Sequence, residues 1–483
     1  MLIRHSFAYI LARGLPGLVN FAALLLYTRL LSPQDYGRYA LVIAGVSMVE
    51  VAVFQWQRLV LARWWPMRRA DPQRFLGEML GLFAAIAAVA VAVGLLLALA
   101  WPDPVWRRLL LLAVALFVAQ GWLELNLALA SAQLAPMRYG RLLAAKSLLA
   151  LGLGAGLAWS GLGAYSPLLG LLAGCLLAVP LAGGGTWSRL RLRLPERRTL
   201  REQLHYGLPL VATFMLGWVI AGSDRLIIGW LRDVQSAGQY AVGYDLAQHS
   251  LGVALTIVQI ASYPLAVRAL EDQGPAAARE QLRHNGELIF TLALAGAASL
   301  AVLAPQIAAV VVGSEFRGTT ASLLPFIALA AALWGIKAFH FDVAFHMGCN
   351  SRGLLLGVAA AAVANVALTC LLVPGFGLQG AAVASILAYA LGLVLSARLG
   401  RRVFDMPPVA PILARAGCVA LAAAGGAALA RSLDAGAAGL VAGVTLAVLS
   451  GGIASLWVNI ANARVELGSR WQAWLSSVQR YKG

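Results

Sequence analysis

Charged residues are scarce in this sequence, and acidic residues are the scarcest. Only 12% of the 483 residues are charged, and 20 Asp and Glu stand against 37 Lys and Arg, which gives a formal net charge of +17. Soluble domains carry about 25% charged residues. With 61% hydrophobic residues, the chain has too little polar surface to cover a water-soluble fold, so that class of protein is excluded.

Cysteine is also rare. The four cysteines lie in or beside apolar segments, and none of them belongs to a Cys-x-x-Cys or Cys/His pattern. A zinc site and a disulfide framework are therefore not expected. We predict that the protein has no metal and no cofactor.

Motifs of enzymes and of nucleic-acid-binding proteins are missing too. The sequence contains no P-loop, no Asp-x-Asp pair and no nucleophile motif, and the segments between apolar blocks are too short for a catalytic domain. The basic residues are spread over these short segments, so we expect no nucleic-acid partner. We also expect no cleavable signal, because the first apolar stretch contains Arg13 and has no small-residue cleavage site.

Long apolar blocks are what the sequence has in abundance. The mean hydropathy is +0.79, and blocks such as 79–101 and 353–373 contain no charge. About 20 apolar residues cross the hydrocarbon core of a bilayer, where the backbone satisfies its own hydrogen bonds as a helix. The pattern predicts an all-α membrane protein with about fourteen transmembrane helices. The predicted spans are 7–30, 38–62, 77–101, 108–134, 142–160, 164–186, 205–231, 238–266, 285–313, 320–347, 353–374, 377–399, 410–431 and 437–461.

The basic residues indicate the orientation of these spans. If the N-terminus is cytoplasmic, the cytoplasmic termini and connections contain 28 of the 37 Lys and Arg, the opposite side contains 8, and Lys337 lies within a span. Cytoplasmic loops carry an excess of Lys and Arg. We therefore predict a multi-pass protein of the bacterial inner membrane with both termini in the cytoplasm, and we expect its basic segments to contact anionic membrane lipid.

An internal repeat predicts how the helices are grouped. The first and seventh spans both contain Leu-Pro, at 15–16 and 208–209, and each is followed by a similar segment, YGRYA at 36–40 and AGQYA at 237–241. Six spans separate the copies, so both copies have the same orientation, as in parallel repeats related by an axis along the membrane normal. We expect two six-helix bundles plus two C-terminal helices. The predicted segments are an N-terminal lobe at 1–186, a basic cytoplasmic linker at 187–204, a C-terminal lobe at 205–400, the last two helices at 401–462 and an interfacial cytoplasmic tail at 463–483.

Three stretches resemble the Wzx-type polysaccharide-biosynthesis flippases of the multidrug/oligosaccharidyl-lipid/polysaccharide exporter superfamily. They are TRLLSPQDYGRYA at 28–40, then YGLP at 206–209 with SDRLIIG at 223–229, and VPGFGLQGAA at 373–382. The resemblance implies transport of undecaprenyl-diphosphate-linked oligosaccharide units for lipopolysaccharide or exopolysaccharide synthesis. It further implies alternating access around a cationic cavity, ion coupling, and a polymerase and chain-length regulator as candidate partners. In relatives with fourteen helices the last pair can border a groove for the lipid tail.

Ionisable residues inside the spans are concentrated in the first, second and fourth spans and in their repeat partners, the seventh, eighth and tenth. Charges inside a membrane are costly and usually face protein or a water-filled cavity. This concentration predicts a hydrated cavity between two lobes, with Arg58 expected at the membrane interface. The other residues of this set are Arg29, Glu50, Glu124, Asp224, Arg225, Asp245, His249, Lys337, His340, Asp342 and His346.

Two roles are predicted for these residues. Arginine and lysine can replace the hydration of a diphosphate with charge-assisted hydrogen bonds, and Lys337 and His340, three residues apart, share a helix face. The predicted substrate-binding residues are Arg29, Arg225, Lys337, His249 and His340. The predicted residues for proton or sodium coupling, or for gating, are Glu50, Glu124, Asp245 and Asp342.

Structural roles stay open for the same residues. Asp224 and Arg225 lie near the end of their span, so an alternative is that they cap the helix among lipid headgroups. Glu50, Glu124 and Lys337 have a structural salt bridge as their alternative, and an intramembrane histidine can be a hydrogen-bonded packing residue.

Two other functions compete with the flippase. A multidrug or metabolite antiporter could use the same fold, although the basic tenth span and the extra helix pair favour a lipid-linked substrate. A membrane-embedded polymerase or ligase is the alternative from the enzyme class, and the missing catalytic motifs argue against it. We expect the protein not to be an enzyme.

Overall fold

The structure is a computed structural model that describes residues 2–68, 71–184, 187, 191–433 and 436–462, with the backbone alone for residues 2–15 and 433. Within these ranges every regular element is helical. The helices are α1 (Leu2–Leu30), α2 (Pro33–Trp64), α3 (Pro72–Ala100), α4 (Pro104–Ala132), α5 (Pro136–Trp159), α6 (Tyr165–Ala182), α7 (Arg197–Leu231), α8 (Val234–Ala247), α9 (Val253–Gln273), α10 (Pro275–Val302), α11 (Ala304–Val311), α12 (Arg317–Ile336), α13 (Val343–Met347), α14 (Ser351–Gly400), α15 (Val409–Leu433) and α16 (Ala437–Trp457).

The number of helices agrees with the prediction from the sequence. In the described part of the chain, twelve helices are long and apolar enough to cross a membrane. One of them, α14, has 50 residues and is interrupted at Gly377, whose φ of 59° and ψ of −139° are not helical. Counting the two arms of α14 separately and adding α1, with its 29 residues, gives fourteen segments of spanning length. The chain is a multi-pass integral membrane protein.

Proline sets the start of many helices. Ser32 precedes Pro33, and Asp71 and Asp103 likewise precede a proline that opens the next helix. A proline in the first turn loses nothing by lacking an N–H group, because that group has no partner there. The side chain before the proline accepts a hydrogen bond from a free N–H group of the first turn. Ser32 Oγ accepts from Asp35 N at 3.2 Å, and Asp103 Oδ1 accepts from Val105 N at 2.8 Å. These caps stabilise the first turns of the helices that follow the short connections.

Two π-helical turns interrupt the helices of the second half. They are Gln248–Gly252, between α8 and α9, and Lys337–Phe341, between α12 and α13. A π turn inserts one extra residue into a helical turn, and such turns occur frequently at functional sites. Each turn contains residues that the sequence analysis predicts for substrate binding.

The described chain divides into two compact units. Unit 1 comprises residues 1–242, 313–316 and 365–381, and unit 2 comprises residues 243–312, 317–364 and 382–483. In unit 1 an aromatic stack forms part of the core, where the ring of Phe54 lies 5.0 Å from that of Phe83 and 4.9 Å from that of Phe117. In unit 2 the core combines aliphatic and aromatic side chains, with Leu255 and Ile289 fully buried and Phe290 3% exposed.

The predicted five-segment division, with its linker at 187–204, stays a prediction. The amphipathic pattern of the predicted tail, with Trp471, Trp474 and Tyr481, lies outside the described residues.

Candidate functional site

An arginine bridges two of the predicted carboxylates in unit 1. Arg58 Nη2 lies 3.0 Å from Glu50 Oε1, and Arg58 Nη1 lies 3.0 Å from Glu124 Oε2. The guanidinium also donates to Gln55. The side chains of Arg58 and Glu50 are 15% and 5% exposed, and that of Glu124 is 36% exposed. This set of three charges is called the Arg58 cluster below.

The geometry of two helices explains the Arg58 cluster. Glu50 and Arg58 are two turns apart on the same face of α2, and Glu124 projects from α4, which packs against α2. Arg58 therefore lies among carboxylates, and its expected position at the membrane interface stays a prediction. One arginine between two carboxylates leaves a net negative charge, which suits a group that takes up a proton or another cation.

Lysine and aspartate form the corresponding pair in unit 2. Lys337 Nζ lies 2.7 Å from Asp342 Oδ2, and Ser396 Oγ donates to Asp342 Oδ1 at 2.6 Å. Lys337 is 4% exposed and Asp342 is 6% exposed. The stem of the lysine runs close to Gly392, where a Cβ would lie 2.9 Å from Lys337 Cε. In this conformation the ammonium group is buried and paired.

The π turn makes this pairing possible. The backbone N–H of Asp342 donates to the carbonyl of Lys337 at 2.9 Å, which is the i to i+5 bond of a π turn. Five residues along an α-helix would point the two side chains in different directions. We expected His340 to share the face of Lys337. The side chain of Lys337 packs at Gly392, whereas that of His340 packs at Gly286 and is 1% exposed. Its ring lies 5.3 Å from that of Phe290 and 5.0 Å from that of Phe341.

The remaining predicted residues occupy different surroundings. Arg29 is exposed and Arg225 is half-buried, both in unit 1, whereas Asp245 and His249 are half-buried in unit 2. His249 belongs to the π turn Gln248–Gly252. The described residues bring no three His, Cys, Asp or Glu side chains together in the arrangement of a metal site.

Asp224 belongs to the charged set that predicts the cavity, but the sequence analysis assigned it no role in binding or coupling. Asp224 is 2% exposed, and its two carboxylate oxygens accept from Tyr240 Oη at 3.0 Å and Thr369 Oγ1 at 3.2 Å. Next to it Ser223 Oγ donates to Asn365 Oδ1 at 3.3 Å. Asp224 is therefore not a headgroup-exposed cap. The sequence analysis did not predict a site role for Tyr240, Thr369 or Asn365, because an uncharged polar residue in an apolar span does not stand out from its neighbours.

Three glycines of unit 1 allow close backbone contacts between the ends of helices. A Cβ at Gly37 would overlap the carbonyl oxygen of Val234, and a Cβ at Gly238 would overlap the carbonyl oxygen of Pro33. A Cβ at Gly313 would overlap the carbonyl oxygen of Thr28, whose Oγ1 accepts from Gly313 N at 3.3 Å. We call Gly37, Gly238 and Gly313 the glycine seam. The seam joins the start of α2, the start of α8 and the turn before α12.

The first two glycines of the seam are equivalent positions of the sequence repeat. Two residues connect α1 to α2, and two connect α7 to α8. In the first turn Ser32 Oγ donates to Asp35 Oδ2 at 3.1 Å, and in the second Ser236 Oγ donates to Asp233 Oδ2 at 3.0 Å. The capping pair is the same in both copies, with serine and aspartate exchanged. The repeat is thus present in local geometry as well as in sequence.

Unit 2 contains an apolar groove along α10. Its volume is about 640 Å³, and α10, α15 and α16 supply most of its walls. Leu288, Leu292, Val419, Val444 and Ala447 are representative of its apolar lining. The face of α10 that lines it extends from Leu288 to Leu300, which is about 18 Å of helix.

A buried glutamate lies at one end of this groove. The side chain of Glu287 is 2% exposed and pairs with Arg283 at 2.5 Å and Arg415 at 2.8 Å. Its other oxygen accepts from the backbone N–H of Ala461 at 2.7 Å. The sequence analysis missed this cluster because Glu287 lies at the edge of a predicted span. The contacts fasten the end of the last helix pair to α10.

Comparisons with solved structures support the fold. A structure described as "Lipid II flippase MurJ, inward closed conformation" matches with a TM-score of 0.78 at 13% identity, over 93% of this chain and 98% of that chain. An inward-facing multidrug resistance MATE family transporter of the MOP superfamily matches with a TM-score of 0.58 at 14% identity, over 82% and 97%. An outward-facing transporter of that family matches with a TM-score of 0.54 at 16% identity, over 83% and 94%.

Sequence comparison provides the family. A search of curated protein sequences finds no match. The sequence model of a family described as "Polysaccharide biosynthesis protein" matches residues 26–321, which is more than half of the chain and includes both glycine-seam turns of the repeat. Because this family model covers more than half of the chain, the chain belongs to the polysaccharide biosynthesis protein family.

Proposed function

We propose that the protein is a flippase that moves undecaprenyl-diphosphate-linked oligosaccharide units across the bacterial inner membrane by ion-coupled alternating access. One observation carries the proposal: the chain belongs to a polysaccharide biosynthesis family and matches a structure named as a lipid II flippase along almost its whole length. The name of the matched structure says that its protein moves a lipid, lipid II. A lipid-linked sugar is the cargo that is consistent with both comparisons.

The charges within the helices fit a diphosphate cargo. A bare diphosphate cannot cross hydrocarbon, and arginine or lysine can replace its hydration shell. Arg29, Arg225 and Lys337 remain the proposed ligands, with His249 and His340 beside them. Because Lys337 is paired with Asp342 at 2.7 Å, cargo binding at this lysine requires the diphosphate to replace the carboxylate as its partner.

The carboxylates fit ion coupling. Glu50 and Glu124 share one arginine, so uptake of a proton or sodium ion would release Arg58 from one of them. Asp342 holds Lys337 in the same way, and Asp245 lies half-buried in unit 2. Each of these groups would link the charge state of a carboxylate to the freedom of a basic side chain.

The glycine seam and the apolar groove fit the two further needs of such a carrier. Backbone contact without side chains makes a tight closure that can open, which is the property of a gate in alternating access. A groove of about 640 Å³ with apolar walls can accept part of a polyprenyl chain while the sugar head crosses. The proposed orientation, with both termini in the cytoplasm, places the glycine seam on the periplasmic side.

Reconstitution into proteoliposomes tests this function. A polyprenyl-diphosphate oligosaccharide with a fluorescent sugar is added to the outer leaflet, and a membrane-impermeant quencher reports how much of it is moved inward. We expect transport that increases with an imposed proton or sodium gradient. The variant Arg58→Gln tests the coupling. It removes the cation between Glu50 and Glu124 and should abolish the dependence of transport on the gradient. Absence of transport under either gradient would contradict the proposal.

A second candidate is a multidrug or metabolite antiporter, because two matching structures are named as multidrug resistance transporters. The same proteoliposomes distinguish the two functions, since an antiporter would move small organic cations and leave the lipid-linked sugar in place.

Deleting the gene provides an independent test: cells without a flippase should accumulate lipid-linked repeat units in the cytoplasmic leaflet. A membrane-embedded polymerase or ligase would instead lengthen or transfer the sugar in the assay. A polysaccharide polymerase and a chain-length regulator are the proposed protein partners.

A further inference from the structure

A second groove lies at the start of α7. Its volume is about 880 Å³, and the described residues that line it belong to 197–209. One row of lining residues consists of hydrogen-bond donors and a neighbouring row consists of leucines, each row with the four-residue step of a helix face. The donor row is Arg197, Arg201 and His205, and the leucine row is Leu200, Leu204 and Leu208.

The length of α7 places this groove at the depth of lipid headgroups. The helix has 35 residues, which is about 52 Å at 1.5 Å per residue. The hydrocarbon core of a bilayer is about 30 Å thick, so roughly fifteen residues of α7 lie outside it. The polar residues of the helix are concentrated in 197–206, so this end is the part that extends into the headgroups.

An aromatic pair marks the same depth independently. The rings of Trp64, at the end of α2, and Tyr206, next to the donor row, are 5.9 Å apart. Tryptophan and tyrosine are enriched where the membrane meets water. The groove is thus at the interface, with the leucine row pointing along the helix towards the hydrocarbon.

The two arginines of the donor row are not paired with carboxylates of the described chain. Arg198, which lies beside this row, pairs with Glu202 at 3.3 Å, with side chains 91% and 58% exposed. Among the described residues, Arg197 and Arg201 form no ion pair, and both are exposed. Arginines in the first turns of a helix also oppose the positive end of the helix dipole. An anion in the groove would satisfy both the arginines and the helix start.

The groove is held firmly on unit 1. Gln203 is 1% exposed, and a Cβ at Gly207 would lie 2.8 Å from Trp56 Cβ, so this side of α7 packs tightly on α2. The preceding extended segment is fixed on α3, where Arg193 N donates to the carbonyl of Gly77 at 3.1 Å. Arg74 Nη2 pairs with Glu196 at 2.9 Å. A ligand would therefore meet a preformed surface.

We propose that this groove binds one anionic glycerophospholipid of the surrounding bilayer. Its phosphate accepts hydrogen bonds from Arg197, Arg201 and His205, and an acyl chain lies along the leucine row. The exposed position favours a bilayer lipid over the transported cargo, because the groove opens to the membrane surface. The inference needs the membrane location of α7 and is independent of what the protein transports.

Native mass spectrometry with a lipid titration tests the site. The purified full-length protein is titrated with phosphatidylglycerol, phosphatidylcholine, a polyprenyl diphosphate and inorganic phosphate in separate experiments. The test variant carries Arg197→Gln and Arg201→Gln. The matched control carries Arg401→Gln and Arg402→Gln, which removes two exposed arginines of another connection.

We expect the wild type and the control to prefer phosphatidylglycerol over phosphatidylcholine. The test variant should bind phosphatidylglycerol about 25-fold more weakly, at roughly fivefold for each arginine near an anionic lipid, and its affinity for phosphatidylcholine should not change. Thermal unfolding in phosphatidylcholine nanodiscs should be the same for all three proteins, and addition of phosphatidylglycerol should stabilise only the wild type and the control.

Three results would overturn the proposal. Equal phosphatidylglycerol binding by the test variant and the wild type would show that these arginines do not form the site. An equal loss in the control would reduce the effect to net charge. A loss of polyprenyl diphosphate binding with unchanged phosphatidylglycerol binding would assign the groove to the cargo. Transport in phosphatidylcholine proteoliposomes is measured separately, so a failure of the flippase proposal would leave this result intact.

Discussion

Substituting Gly37 by alanine should open the glycine seam. The new Cβ would overlap the carbonyl oxygen of Val234, and a backbone oxygen cannot rotate away as a side chain can. The starts of α2 and α8 would have to separate by roughly 1.5 Å to restore an ordinary contact. Overpacking of this kind costs about 1–3 kcal/mol, so the equilibrium constant for opening should rise about 5- to 140-fold.

A buried reporter thiol measures this opening. Thr28 is 3% exposed and contacts Gly313 across the seam, so a Thr28→Cys variant should react slowly with a membrane-impermeant maleimide while the seam is closed. The four native cysteines are first replaced by serine. Adding Gly37→Ala should increase the labelling rate of cells from the periplasmic side by the factor given above.

A glycine on the same helix serves as the control. A Cβ at Gly45 would meet nothing within 4 Å, so Gly45→Ala should leave the labelling rate unchanged while favouring the helix by about 1 kcal/mol. Gly238→Ala, which acts on the seam from α8, should reproduce the effect of Gly37→Ala. If both seam variants label at the rate of Gly45→Ala, the seam is not a closure that opens, and the reasoning is refuted.

Three further results are expected. Lys337→Met should lower thermal stability, at about 3–5 kcal/mol for a broken buried pair, and the double variant with Asp342→Leu should regain it without regaining transport; a double variant that transports normally would make Lys337 purely structural. A cysteine at Ser314 should react from the periplasm and one at Ser469 only after permeabilisation, and the reverse pattern would contradict the orientation. Collapsing both the proton and the sodium gradient should slow transport, whereas unchanged transport would leave Glu50 without a coupling role.

Hydropathy predicted the helices well because each span must cover the hydrocarbon core with apolar side chains. It predicted their ends less well. The start of α7 is at Arg197, inside the segment that the sequence analysis assigns to the linker, and α10 begins at Pro275 and not near 285. Helices continue into the headgroup region, where polar residues are tolerated, so hydropathy marks the membrane and not the end of the helix.

The charged residues were predictable as a set, but their partners were not. Arg58 meets Glu124 from another helix, 66 positions away, and Ser396 meets Asp342 across 54 positions. Such pairs depend on how helices pack, which one sequence does not specify. Whether these residues bind cargo or couple ions stays a prediction.

Within a single helix, the α-helical period does not hold at one place. This period predicts that Lys337 shares a face with His340. The π turn rotates the following residues by the extra position, so Lys337 meets Asp342 and His340 turns into an aromatic environment. No residue in 337–341 signals a π turn in the way that proline signals a helix start.

The two-residue turns of the repeat limit how the carrier can move. The turn at Ser32 is fixed by its cap, and the turn at Asp233 is fixed by the bond from Ser236 N at 2.7 Å, so neither hairpin can spread at its tip. The two helices of the first pair pack mainly on other helices, α1 on α5 and α2 on α7, so the cap fixes the tip and leaves the angle between α1 and α2 free to change. A spin-label distance measured across the tip, from the last turn of α1 to the first turn of α2, should therefore stay constant while the distance between the far ends of these helices changes.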